Sequence, residues 1–407
     1  MTSTPRVLIL LPQLPHDPAS GAARTLSTIG ELLAANGFEC ESIATTASGG
    51  HARMDLARWL AGMDVPIYRE PADTGGLIRF VRRGVGHTLV DTGGRTVNGW
   101  ESDRGGQYDQ LVDEALARQK PDLLLTYGGS QAEMARQRRA RDSGARVVFA
   151  LYNACYGSRS FFEHADDVIT PSEFLSQFYL RAFGLRTTPL PTPLWQEDVI
   201  AIDREPAYLT MINPEPEKGL MFFAALVELL ARKQPQIPIE VFASRGGATF
   251  LVQTALIGGI DLALHSRLEL RDTEVSPTSV YQRSRVVVVP SLVDDAAPRV
   301  VVEAQVNGIP VLGSDRGGIP EMCTDAGLVI PIPRAVLPGS LRSPPPEAVR
   351  PWVEAITRLF DDPAAWARAS ARARAAGARY LAAAVSEQYA NHFRQVLDKP
   401  RVGQAGS

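Results

Sequence analysis

The stretch VVVVPSLVDDAAPRVVVEAQVNGIPVLGSDRGGIPE, residues 286–321, decides the fold. Four consecutive valines, Val286 to Val289, end at Pro290-Ser291 and read as a strand buried on both faces, the kind that parallel sheets contain. An acidic loop, Asp294-Asp295, follows, and the pattern then predicts a helix over 299–306. Gly308 closes that helix, a short strand at Val311-Leu312 comes next, and Gly317-Gly318 makes a turn. Open α/β sheets bind ligands at the carboxyl ends of their strands, where these polar residues stand. Asp295 and Glu303 are separated by seven residues and bracket the helix start. Carboxylates there can accept from ligand hydroxyls while the helix N–H groups donate to phosphate.

The rest of the chain bounds the reading. At 407 residues it is long enough for two domains, each with its own core. Its 45% hydrophobic and 21% charged content is that of a soluble globular protein, and a net charge of −3 leaves no electrostatic footprint for nucleic acid. Cys40, Cys155 and Cys323 are scattered and read as small apolar residues of a reducing compartment. The six histidines form no His-x-x-x-His element, so no protein-bound metal is expected. The apolar run 7–11 stops at Pro12, too short for a signal-peptide core or a membrane span; it reads as the first strand of a cytoplasmic protein.

That strand leads through PQLPHDPASG into a helix predicted over 22–36 and closed by Gly37. Strands at 39–45, 122–126, 146–151 and 167–170 alternate with helices such as 131–142 and 173–182, the pattern of a parallel sheet wound by crossovers. Residues 74–107, rich in Gly and Arg, read as an irregular insertion, a place for acceptor specificity or an interface. TTPLPTPLWQED, from Thr187, reads as a linker. A second α/β series follows, with strands at 208–212, 239–243 and 268–271 and a helix at 219–233. The end is helical over 352–360, 364–376 and 378–397, the last helix being amphipathic through Leu381, Val385, Tyr389, Phe393 and Leu397.

Residues 286–321 closely resemble the donor-binding segment of the retaining family 4 glycosyltransferases, whose pattern is roughly PS-x-x-E-x-FG-x-x-x-x-E-A-x-x-x-G-x-P-V followed by a Gly-Gly-x-x-Glu turn. Pro290, Ser291, Glu303, Ala304, Gly308, Pro310, Val311, Gly317, Gly318 and Glu321 fall in register with it. The resemblance implies the GT-B fold, an α/β architecture of two Rossmann-like doubly wound domains facing across a cleft, with a C-terminal helix crossing back. On this chain that divides into an N-terminal acceptor domain at 1–186, a linker at 187–206 and a nucleotide-sugar-binding domain at 207–376. The returning helix takes 377–398 and a tail 399–407. The resemblance is strong over 206–330 and looser over 1–186.

Residue by residue, it assigns Glu303 to the ribose hydroxyls of a sugar nucleotide and Asp295 to the neighbourhood of the donor sugar. Lys218, in INPEPEKGL, matches the lysine that meets the diphosphate; its ammonium and the N–H groups of the helix it opens can share one anion. Asn213 stands where the family has Arg, and Arg245 is a candidate to replace the missing charge. Gly21 occupies the second place of a Gly-Gly pair that approaches the donor, and Gly317 and Gly318 complete the donor side. Tyr152 and Asn153 fall where the family commonly has an acceptor-side His. Ala297-Pro298 replaces Phe-Gly, and Pro298 has no N–H to give a sugar hydroxyl.

The resemblance thus implies a retaining, metal-independent transferase without cofactor, with Lys218 and Asp295 as catalytic residues. Its donor would be a UDP-, GDP- or dTDP-sugar, and its acceptor a sugar, lipid, natural product or peptide. No transmembrane segment is expected, and peripheral membrane contact stays open. The departures at Asn213, Asp295, Pro298 and the acceptor-side His leave two alternatives: a non-catalytic sugar-nucleotide-binding paralogue, and a GT-B sugar-nucleotide epimerase.

Overall fold

A computed structural model describes residues 4–49, 55–71, 76–243, 247–272 and 276–400. Nine strands form the first sheet: β1 (Arg6–Leu10), β2 (Glu39–Thr45), β3 (Ile67–Arg69), β4 (Leu77–Arg82), β5 (Val85–Val90), β6 (Leu123–Thr126), β7 (Arg146–Ala150), β8 (Asp167–Thr170) and β9 (Thr188–Pro189). Their order is β3-β4-β5-β2-β1-β6-β7-β8-β9, parallel from β5 to β9. Six strands form the second sheet: β10 (Tyr208–Ile212), β11 (Ile239–Ala243), β12 (Leu268–Asp272), β13 (Ser284–Val289), β14 (Val311–Gly313) and β15 (Leu328–Val329). They run β12-β11-β10-β13-β14-β15, all parallel.

The valine run behaves as its composition demands. Val286 to Val289 are buried in β13, at the centre of the second sheet between β10 and β14, with helices on both faces. Chain order reverses between β1 and β6 in one sheet and between β10 and β13 in the other. These are the switch points where loops diverge and leave a crevice at the carboxyl ends of the strands.

The stretch 74–107 is not an irregular insertion. Its described part holds β4 and β5, which with the preceding β3 form an antiparallel meander, and the helix Glu101–Gln119 begins within it. Arg82 pairs with Val85, leaving Arg83 and Gly84 as a two-residue turn with φ of 45° and 80°. Two positive φ values match the right-handed twist of a tight hairpin. The tip is occupied with the interdomain crossing. Arg82 donates to both oxygens of Asp198, at 3.0 and 2.9 Å, and Arg83 does the same at 2.9 and 2.7 Å. Asp198 lies on the short helix Gln196–Val199 within that crossing, and the Trp195 ring sits 4.7 Å beneath the Arg83 guanidinium.

The final helix, Ala382–Asp398, returns to the first domain and buries Val385, Tyr389 and Phe393 in its core. Tyr389 donates to the Pro191 carbonyl at 2.9 Å, and Asn36 to Ser386 Oγ at 2.6 Å. The outgoing and returning crossings pair with each other, Leu194 N–H on the Tyr380 carbonyl and Ala382 N–H on that of Leu194, at 2.8 and 2.7 Å. Among the described residues, no helix is long and apolar enough to cross a membrane.

Candidate functional site

The loop after β10 carries Lys218. Asn213 turns it with φ 54°, a conformation asparagine tolerates. Gly219 then presses it against the end of β13: φ is 84°, and a Cβ there would lie 2.1 Å from the Pro290 carbonyl oxygen. This contact sets Lys218 at the mouth of the crevice, where its ammonium is ion-paired with Asp295 Oδ1. The other carboxylate oxygen, Asp295 Oδ2, is buried without a hydrogen-bond partner.

Asp294 and Asp295 do not cap the following helix, which starts at Arg299 with Pro298 as its N-cap. They belong to a loop braced from behind by Gly317 and Gly318. Gly317 N–H donates to Asp294 Oδ1 at 3.0 Å and Gly318 N–H to the Asp295 carbonyl at 2.7 Å. A Cβ on Gly317 would meet the Asp295 carbonyl oxygen at 2.3 Å, and one on Gly318 that of Ala296 at 2.1 Å. The pair therefore supports the loop carrying Asp295 and does not line the crevice.

Glu303 is buried, and both of its carboxylate oxygens have partners. Oε1 accepts from Arg299 Nε at 3.0 Å and pairs with Arg24 Nη2 at 2.9 Å; Oε2 accepts from the Tyr281 hydroxyl at 3.0 Å. Burial alone would raise the Glu303 pKa, but the Arg24 and Arg299 charges outweigh it and hold the carboxyl below its ordinary value. Arg299 is pushed down to about 10 by burial and by the like charge of Arg24. It also donates to Thr25 Oγ1 at 3.0 Å. Arg24 and Thr25 lie in the first turns of the helix Gly21–Ala35, so both contacts join the two domains.

The loop before that helix is ordered by Asp17, which accepts from Ala19 and Gly49 N–H at 2.9 and 2.7 Å. Ser20 caps the helix through the Ala23 N–H, and a Cβ on Gly21 would stand 3.4 Å from Arg299 Cδ. Past β7, the buried Tyr152 hydroxyl has no hydrogen-bond partner, and desolvation pushes its pKa up. Asn153 Oδ1 accepts from the Cys155 N–H at 3.0 Å.

These groups share one cavity of about 460 Å³ between the domains. Gly21, Arg24, Tyr152 and Asn153 line it from the first domain; Asn213, Lys218, Asp295, Pro298 and Glu303 line it from the second. Of the residues singled out in the sequence, Gly317 and Gly318 stand behind it, and Arg245 lies outside the described residues. Arg24, Tyr281 and Arg299 were not anticipated. The one local signal was the four-residue spacing of Arg299 and Glu303 on a helix.

Two further contacts tie the domains below the cavity. Ser172 caps the helix Glu173–Phe183 and also donates to the Ala296 carbonyl at 2.6 Å. The Glu321 carboxylate accepts from the N–H groups of Glu173 and Phe174 at 2.9 and 2.8 Å, placing negative charge at that helix's positive end.

Comparison with known proteins agrees with this architecture. Residues 198–376 match the family model described as glycosyl transferases group 1. No curated protein sequence matches the chain. Among solved structures, the sucrose-phosphate synthase of Thermosynechococcus elongatus superposes with a TM-score of 0.65 at 18% identity, over 97% of this chain and 99% of that one. HepE of Anabaena, in complex with UDP and glucose, gives 0.65 at 15% identity over 95% and 99%. The pneumococcal O-GlcNAc transferase GtfA, in complex with UDP and GlcNAc, gives 0.65 at 11% over 98% and 100%. Residues 198–376 thus match the glycosyl transferases group 1 model, within a chain whose fold is that of these GT-B structures throughout.

Proposed function

We propose that the chain transfers a sugar, with retention at the anomeric carbon, from a nucleoside diphosphate donor to an acceptor bound on the Tyr152–Asn153 side of the cleft. The observation that carries this reading is the convergence of Lys218, Asp295 and Glu303 on one cavity at the β10–β13 switch point. Glu303 would accept from the ribose hydroxyls once they displace a guanidinium. The unpartnered Asp295 Oδ2 offers an acceptor for a hydroxyl of the donor sugar. Lys218 and the N–H groups of the helix Leu220–Lys233 would stabilise charge growing on the diphosphate as the glycosidic bond breaks. No protein base is assigned: the departing phosphate takes the acceptor's proton on the same face. HepE and GtfA, each solved with UDP and a sugar, support a UDP-linked donor.

A second reading has its own observation. Glu303 is engaged by the chain's own Arg24, Arg299 and Tyr281 and not left free for a ligand, as would suit a non-catalytic paralogue. One experiment separates the two. Thermal shifts with UDP, GDP and dTDP identify the base, because saturating ligand stabilises by RT ln(1 + [L]/Kd). The matching sugar nucleotides are then incubated with the protein and watched for hydrolysis or transfer. Binding with turnover supports the transferase, whereas binding without turnover supports the paralogue. A protein that binds none of the three nucleotides has neither function.

A further inference from the structure

Asp198 stands where the two domains meet, and its short helix is anchored in the second. Val199 and Ala201, beside it, are buried with Tyr281, Val301 and Val302 in that domain's core. Asn307, the C-cap of the helix Arg299–Val306, fastens the segment to that helix. Its Nδ2 donates to the carbonyls of Val199 and Glu303, and its Oδ1 accepts from the Ala201 N–H, each at 2.8 Å. The first domain grips Asp198 with Arg82 and Arg83. Both guanidiniums also reach Glu31, fully buried on the helix Gly21–Ala35. His16, in the loop entering that helix, sets its Nε2 3.0 Å from Glu31 Oε1 and from Arg82 Nη1. Two guanidiniums thus sit between two carboxylates, one from each side of the domain boundary.

Buried ion pairs are a poor source of stability, because desolvation offsets their attraction. They do fix geometry, since bidentate guanidinium–carboxylate bonds have a defined direction. The turn agrees with such a use. Arg83 has φ 45°, a left-handed conformation that Gly, Asn or Asp takes most easily, yet the residue there is one whose guanidinium meets Asp198. Arg24 and Glu31 lie seven residues apart on one helix, about 10 Å along its axis. At the first level, Arg24 and Thr25 touch Glu303 and Arg299 directly. At the second, Glu31 reaches the same second-domain helix through the clamp and Asn307. One tie alone would be a pivot, whereas two fix an angle. The contacts of Ser172 and Glu321 hold a different first-domain helix, Glu173–Phe183. We propose that Asp198 is a positioning residue: gripped by Arg82 and Arg83, it sets the angle at which the helices Gly21–Ala35 and Arg299–Val306 face each other across the cleft.

The test uses the full chain and reads geometry without any sugar donor. Cys155 is exposed on the first domain, whereas Cys40 and Cys323 are buried. Glu217→Cys supplies a second exposed label site, on the Lys218 loop across the cleft. Electron–electron resonance between spin labels at the two positions measures the width of the cleft. Asp198→Asn and Arg83→Gln, made separately in this background, should each shift the distance distribution to longer values. Asp198→Glu restores the charge and should keep the parent distance. Arg83→Gln leaves Arg82 on Asp198, so it still decides the matter if Asp198→Asn fails to fold. A second readout rests on the proposed function, in which donor and acceptor sit on opposite domains. Misplacing one against the other should lower kcat roughly ten-fold or more with donor KM unchanged. A parent-like distance in the folded variants overturns the inference. So does a lower melting temperature at an unchanged distance, which would make the clamp a stabilising contact only, and so does Asp198→Glu opening as far as Asp198→Asn. Lengthened distances in a parent chain that turns over no sugar nucleotide would uphold the clamp and reject the transferase.

Discussion

Arg24 and Glu303 meet across the cleft, Nη2 to Oε1 at 2.9 Å, on an oxygen that also accepts from Arg299 Nε at 3.0 Å. The contact ties the first helix of one domain to the donor-side helix of the other, and both side chains are largely withdrawn from water. The carboxylate proposed to hold ribose is therefore already engaged by the chain itself. On the proposed function, a ribose that takes Glu303 would have to loosen a cross-domain ion pair, which would link nucleotide binding to the contact between the domains.

Arg24→Ala should move stability and affinity in opposite directions. The chain loses one partner of a mostly buried pair, while Arg299 still neutralises Glu303, so the cost should be about 1–3 kcal/mol. The nucleotide no longer has to displace Arg24, and nucleoside diphosphate affinity should rise on the order of ten-fold, equivalent to ~1.4 kcal/mol. Calorimetry and thermal melts on the same protein check both signs. A lower melting temperature with weaker binding would place Arg24 on the nucleotide.

Glu303 also gives the fold a pH dependence of predictable sign. Its folded pKa is lowered from 4.5, so the stability it contributes is present above that value and is lost as pH falls through the folded pKa. Glu303→Gln removes this charge and leaves Arg24 and Arg299 buried without it, at a cost of about 3–5 kcal/mol. The gap in melting temperature between parent and variant should be widest near neutral pH and should shrink below about pH 4.5. A constant gap from pH 7 to pH 3 would mean that Glu303 does not carry the charge in the folded chain.

What could be read in advance follows from the range of the forces. The valine strand and the helix Arg299–Val306 are local patterns and were legible, whereas the grouping of Lys218 with Asp295 and Glu303, which line one cavity, came from the family resemblance and not from local pattern. Arg24 was not, since its partner comes from the other domain and is set by docking. The hairpin at β4–β5 was misread because its turn is Arg83-Gly84, without the Asn or Asp that usually flags two positive φ values. Gly317 and Gly318 were taken as ligand contacts because sequence cannot say which neighbour needs the missing Cβ. Here it is the backbone of Asp295 and Ala296.

Gly219→Ala tests whether backbone contact positions Lys218. The φ of 84° and the 2.1 Å approach to the Pro290 oxygen mean that a methyl group cannot be placed without moving the loop. Strain of this kind costs roughly 1–3 kcal/mol before the clash is counted. The variant should melt lower and bind nucleotide more weakly, although no side chain facing the cavity has changed. Parent-like melting and binding together would show that the loop yields easily and that Gly219 positions nothing.

Lys218→Ala should act mainly on turnover. Charge on the diphosphate is greater in the transition state than in the bound donor, so a lysine there is worth more during bond breaking. A loss on the order of 10²-fold in kcat is expected. Asp295→Asn complements it, since the ammonium would lose its carboxylate partner and sit closer to neutral surroundings. If Lys218→Ala only raised KM, the lysine would bind the donor equally in ground and transition states.

The last prediction concerns the donor sugar. Pro298 lines the cavity as the N-cap of the helix Arg299–Val306 and has no N–H to donate there. On the proposed function Asp295 faces the donor sugar; its unpartnered Oδ2 accepts but cannot donate when ionised, so this turn offers the sugar no donor at Pro298 or Asp295 Oδ2. Specificity is asymmetric: a site that hydrogen-bonds a hydroxyl rejects analogues lacking it, whereas a site without that contact tolerates them. The chain should therefore discriminate weakly between a hexose donor and its 4-deoxy or 6-deoxy counterpart, within roughly ten-fold in kcat/KM. Pro298→Gly returns an N–H to this turn and should shift the ratio toward the hydroxylated donor. A preference of the parent enzyme for the fully hydroxylated sugar by about 10² or more would require a hydrogen-bonding partner other than this turn, and would refute the role given to Pro298.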